Sequence, residues 1–187
     1  MEALIHSAIV VSIAEIGDKT QLLSLLLVAR FSQRGLIVLG ILFATLLNHG
    51  VSAWLGAWVT SWLPQNLGQW LIGGSFLAVA VWALIPDKDE GASRKLDKYG
   101  AFIATLVLFS LAEIADKTQV ATVILAAQYQ NLLWVTLGTT LGMLAANVPV
   151  IYAGSWLLQK ISFRYARWAA CAIFAVMGVA ILLGFWQ

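Results

Sequence analysis

EIGDKTQ occupies residues 15–21, and EIADKTQ recurs at residues 113–119. Both copies lie inside long apolar runs, and each places two acids and a lysine where hydrophobic sequence has no ordinary use for them. The likeness extends beyond the heptapeptide. SIAEIGDKTQ at 12–21 matches SLAEIADKTQ at 110–119 at eight of ten positions, with an offset of 98 residues. At that offset Gly40 also pairs with Gly138, Gly56 with Gly154, Trp70 with Trp168 and Phe76 with Phe174. Asn48 aligns with Asn147 after a one-residue shift. The chain therefore reads as two homologous halves, 1–86 and 99–187, joined by a charged connection at 87–98.

Composition sets the environment. The 187 residues are 61% hydrophobic and 11% charged, with a mean hydropathy of +0.87. Soluble domains are about half apolar and about a quarter charged, so this is an integral membrane protein whose first partner is lipid. A net charge of +2, thinly scattered, gives no surface for nucleic acid. The single Cys171 excludes an intramolecular disulfide and reads as a small buried hydrophobe. The N-terminus, MEALIHSAIVV, lacks the basic start of a signal peptide and reads as a retained helix.

Apolar stretches at 3–29, 36–61, 68–85, 100–127, 132–157 and 166–186 each approach the roughly 20 residues that a spanning helix needs. They are continuous rather than alternating, which argues against β-strands. The expected fold is all-α with six transmembrane helices. Of eleven Lys and Arg, nine lie in the first, third and fifth connections: Arg30, Arg34, Lys88, Arg94, Lys95, Lys98, Lys160, Arg164 and Arg167. The positive-inside rule makes that face cytoplasmic and both termini extracytoplasmic. Three spans per half force the second half to insert upside down, the inverted-repeat plan of many secondary transporters. Trp58, Trp62, Trp70, Trp134 and Trp186 fall near span ends, as interfacial anchors do.

This arrangement puts Glu15, Asp18, Glu113 and Asp116 near the bilayer centre, where each charge costs roughly 2.5–3.5 kcal/mol on insertion scales. On continuous helices Glu and Asp at i and i+3 lie about 60° apart, and Lys19 or Lys117 flanks the glutamate on the other side. Gln21 and Gln119 flank the aspartates. Ser12 and Ser110 lie one turn earlier on the lysine side, while Thr20 and Thr118 point away from the acids. Asn48 and Asn147 are candidates for carbonyl ligands or for bridges between helices. His49 has no counterpart under the shifted alignment, and Pro149 is expected to break or kink the fifth span.

Across a pseudo-two-fold axis the four carboxylates converge into an oxygen-rich site suited to a hard divalent cation, Mn²⁺ or Ca²⁺. Four carboxylates and two lysines leave −2, which one divalent cation or two protons neutralise. Cation–proton exchange follows, with both ions as substrates and no cofactor. Three other readings stay open: an exporter holding a cationic amino acid on the same acids, an intramembrane acid–base enzyme, and an assembly protein in which Glu–Lys pairs only fix packing.

The paired motifs, read as E-x-G-D-K/R-T/S with one per three-helix half, resemble a family of small cation exporters long catalogued as uncharacterised. It includes the Golgi Ca²⁺/Mn²⁺:proton antiporters of yeast and animals and bacterial manganese exporters, and the resemblance covers essentially the whole chain. It implies that Glu15, Asp18, Glu113 and Asp116 bind the transported cation. It also implies export of Mn²⁺, or of Ca²⁺, across a bacterial cytoplasmic (inner) membrane. The departure is EIAD, where the pattern expects glycine at Ala115, so the two halves need not pack alike there.

Overall fold

The computed structural model describes residues 1–85, 94–114, 116–154, 156 and 163–185. Expectations for Lys88 and the rest of 86–93, for Ala115, for Lys160 and for Trp186 lie outside them. The described chain is all helical: α1 (Glu2–Glu15), α2 (Lys19–Arg30), α3 (Arg34–Ser61), α4 (Gln65–Ala83), a 3₁₀ segment (Arg94–Tyr99), α5 (Gly100–Glu113), α6 (Lys117–Tyr129), α7 (Leu132–Ala153) and α8 (Phe163–Leu182).

Among these residues three helices are individually long and apolar enough to cross a membrane: Arg34–Ser61, Leu132–Ala153 and Arg164–Leu182. The bent pair Arg94–Glu113 and Lys117–Tyr129, meeting at 71°, makes a fourth if it is one crossing. The protein is therefore a multi-pass helical membrane protein. Large apolar side chains such as Leu47, Trp54, Trp58, Trp62 and Trp70 are exposed on its outside, the arrangement expected where the solvent is lipid.

The expected continuous helices over 3–29 and 100–127 are each two half-helices, and the motif is the break. After Glu15 the backbone turns extended at Ile16 (φ −63°, ψ 117°), passes through Gly17 at φ 80°, and is extended again at Asp18 (φ −84°, ψ 168°). Only glycine enters the left-handed region without a steric cost. In the second copy Ile114 (φ −58°, ψ 125°) and Asp116 (φ −85°, ψ 161°) match Ile16 and Asp18. Breaking a helix inside a membrane orphans backbone groups that must find partners in the protein. Here the Asp18 N–H donates to Glu15 O (3.1 Å), the Asp116 N–H to Glu113 O (3.1 Å) and the Gly17 N–H to Gln21 Oε1 (2.8 Å). Hydrophobic periodicity is blind to such a break because the flanking residues remain apolar on both sides.

Packing exchanges elements between the halves. α1 and α2 pack on α7, α5 and α6 pack on α3, and α4 packs on α8. Adding 98 to α1 and α2 gives α5 and α6, and subtracting 98 from α7 gives α3, so exchanging the halves turns the first pairing into the second. The details obey the same rule. A Cβ on Gly40 would collide with Phe102 O and Thr105, and one on Gly138 with Leu4 O and Ser7; residues 102 and 105 are 4 and 7 displaced by 98. Phe76 and Phe174, equivalent to each other, stack with ring centroids 6.2 Å apart. Apolar helices gain little hydrophobic energy from meeting in lipid, so small residues that let backbones approach supply the packing. Pro149 lies inside α7 without ending it; the helix runs on to Ala153 and stops at Gly154, φ 67°. Cys171 is half-buried against one of the two apolar clusters.

Candidate cation site

Each half-helix junction delivers a glutamate as the last residue of one helix and an aspartate immediately before the next. The aspartates occupy N-cap positions, yet neither makes a side-chain capping bond to its helix. All four carboxylates are buried: Glu15 and Glu113 are 0% exposed, Asp116 2% and Asp18 5%. One oxygen each from Glu15, Asp18 and Asp116 lies within 4.8 Å of the others, so both motif copies contribute to one cluster. Glu113 lies close enough to act on Glu15 electrostatically, as Asp18 and Asp116 do.

Glu113 forms the far side of the cluster. Thr118 Oγ1 lies 3.2 Å from Asp116 Oδ2 and 3.5 Å from Glu113 Oε2, and links them as donor. The threonine expected to point away is thus at the site, because the chain bends before it. Its counterpart Thr20 is also buried, and its hydroxyl has no hydrogen-bond partner. Neither oxygen of Glu15, nor Glu113 Oε1, receives a hydrogen bond of good geometry. A buried carboxylate in that condition is costly unless an ion or proton compensates it.

The two lysines have different partners. Lys19 Nζ crosses to Asp116 Oδ1 at 3.5 Å, joining the first half to the second. Lys117, 6% exposed, donates to Ile85 O at 2.7 Å, just beyond the end of α4, where the helix dipole favours a cation. A pocket bordered by Ile16, Gly17, Ala83, Lys117 and Arg167 reaches Asp18.

The remaining candidates divide. Gln21 bridges Gly17 N–H and Ala146 O, fixing the first junction against α7. Asn147 accepts from Ser24 Oγ (2.9 Å), donates to Met143 O (3.1 Å), and approaches Glu15 without closing a well-formed bond. Gln119 is half-buried beside the second junction. Asn48 donates to the Ser110 backbone O, tying α3 to α5, and Ser12 Oγ donates to Ala8 O and to Gly142 O on α7.

One residue without an assigned role in the sequence stands at the site. His49, 0% exposed on α3, places Nε2 3.4 Å from Glu113 Oε2. The signal was available: 49 plus 98 is 147, so His49 corresponds to Asn147 with no shift. Shifting the alignment to match the two asparagines concealed it.

A family model described as "Divalent cation/proton antiporter GDT1" matches residues 3–91 and 101–187. The chain belongs to the GDT1 family. It is a membrane transporter, not an enzyme, and its family's substrates are divalent cations and protons. It is 46% identical over 181 residues, 96% of this chain and 90% of the relative, to a Vibrio cholerae protein named "Putative manganese exporter". GDT1-like protein 5 of Arabidopsis thaliana is 28% identical over 91% of each chain. GDT1-like protein 3 of Oryza sativa subsp. indica is 25% identical over 98% of this chain and 72% of its own. No solved structure gives a significant match.

Proposed function

We propose that this GDT1 member exports Mn²⁺ from the cytoplasm in exchange for protons, through a single site built by both motif copies. The observation that carries it is the convergence of buried Glu15, Asp18 and Asp116, with Glu113 alongside, across the two halves. Such an oxygen-rich set suits Mn²⁺ or Ca²⁺, and the name of the Vibrio relative favours manganese and export. With Lys19 and Lys117 the cluster carries −2, so one Mn²⁺ and two protons are alternative ways to neutralise it. Each displaces the other.

The chain is taken as six spans in two inverted three-helix repeats, 1–86 and 99–187, with both termini outside the bacterial inner membrane. Nine basic residues in the odd connections and the exchanged packing of the halves support this. Arg167, in the first turns of α8 beside the basic fifth connection, borders the pocket that reaches Asp18, which supports entry of the cation from the cytoplasmic face. Mn²⁺ binds there and displaces protons. The half-helices then shift against α3 and α7 so that the cluster opens outward, where protons return.

The test is flux in vesicles holding purified protein under an imposed pH gradient. Coupled movement of Mn²⁺ against protons is expected. Absence of Mn²⁺ and Ca²⁺ flux from a correctly oriented preparation overturns the proposal, and proton-coupled movement of a cationic amino acid instead would replace it.

A further inference from the structure

We infer that His49 is a ligand of the transported ion, and that its imidazole sets the preference for manganese over calcium. The inference rests on the site proposed above and goes beyond its four carboxylates. His49 is fully buried, yet neither ring nitrogen makes a hydrogen bond. Buried imidazoles ordinarily have at least one hydrogen bond, and this ring has only the Glu113 carboxylate beside Nε2, which leaves its nitrogens open to a ligand. Nε2 is 3.4 Å from Glu113 Oε2, while Glu113 Oε1 is likewise without a hydrogen bond. A nitrogen and an oxygen from different halves therefore border the same space.

The comparison with position 147 shows what distinguishes this side. Asn147, the equivalent residue, adjoins Glu15, the equivalent carboxylate, but its amide is occupied by Ser24 and Met143. A symmetric site would offer oxygen donors alone, which is what Ca²⁺ and Mg²⁺ select. An imidazole adds a borderline donor that first-row transition metals accept and hard alkaline-earth ions do not prefer. One nitrogen on an otherwise oxygen-lined site tilts the choice without closing it to either ion.

Two measurements test this on the full-length protein in detergent and in vesicles. Pulsed electron paramagnetic resonance of bound Mn²⁺ should show coupling to a nitrogen-14 nucleus that disappears in His49→Asn. Bound Mn²⁺ without nitrogen coupling in the unaltered protein overturns the inference and leaves the carboxylate site standing. In competition flux, His49→Asn should lower the Mn²⁺-to-Ca²⁺ preference about tenfold, no less than the loss of a group that merely supports a metal ligand. An unchanged ratio also overturns it. Should Mn²⁺ binding survive Asp116→Asn together with Glu113→Gln, the site itself is wrong, and His49 falls with it.

Discussion

The two motif junctions share their conformation at Ile16 and Ile114 and at Asp18 and Asp116, and differ in what surrounds them. At the first, Glu15 meets an asparagine already engaged with Ser24 and Met143; at the second, Glu113 lies 3.4 Å from Nε2 of a histidine whose ring nitrogens make no hydrogen bond. Lys19 crosses to the opposite half's Asp116, while Lys117 is bonded to the end of α4. The near-identical sequences fix the local turn. The chemical distinction comes from α3 and α7, which carry no copy of the motif. A pseudo-symmetric site can thus be made asymmetric without touching the residues that build it.

The comparison can be broken at several levels of severity. Asp18→Asn and Asp116→Asn should each reduce Mn²⁺ flux below detection, although the acids come from different halves. Folded protein should still be recovered from the membrane by size-exclusion chromatography. Transport retained in either variant would separate the two junctions. Gly40→Leu and Gly138→Leu should be next in effect, because each forces a side chain into the backbone of the helix it packs on. Overpacking costs about 1–3 kcal/mol and more where backbone must move, so both should lower thermal stability and yield alike. A large loss in only one would show that the exchanged packing is not equivalent.

Lys19→Gln removes a cation 3.5 Å from Asp116 and 27% exposed. The site becomes more negative, so KM for Mn²⁺ should fall and maximal rate with it, each by a few-fold, the scale of about 1 kcal/mol. A raised KM would mean that Lys19 positions Asp116 instead of balancing its charge. The smallest effect is expected from Gly17→Ala. At φ 80° the added Cβ costs about 1 kcal/mol, read as a melting temperature lowered by a few degrees. No change there would imply that the first junction relaxes to accommodate an alanine, the residue present in EIAD.

Much of this was legible in the sequence, and the reasons are specific. Composition gave a membrane protein, and four acids in apolar runs cannot be left facing lipid. The offset of 98 anticipates Gly40 with Gly138 and Phe76 with Phe174, both of which occupy matching places in the packing. The helix breaks were less visible. Periodicity reports which face is apolar, not whether the chain is continuous, although an aspartate following glycine is an N-cap signal that marks the start of α2. A straight helix points Thr118 away from the acids, whereas the break turns it onto Asp116 and Glu113. His49 was lost to an alignment choice, since a histidine and an asparagine look unrelated until each is seen beside the equivalent carboxylate.

The central claim is that two motifs make one site, and Mn²⁺-binding stoichiometry on the purified protein tests it most directly. Equilibrium titration should find one Mn²⁺ per chain, abolished by Asp18→Asn alone and equally by Asp116→Asn alone. Two ions per chain, with one surviving when either motif is disabled, would contradict it.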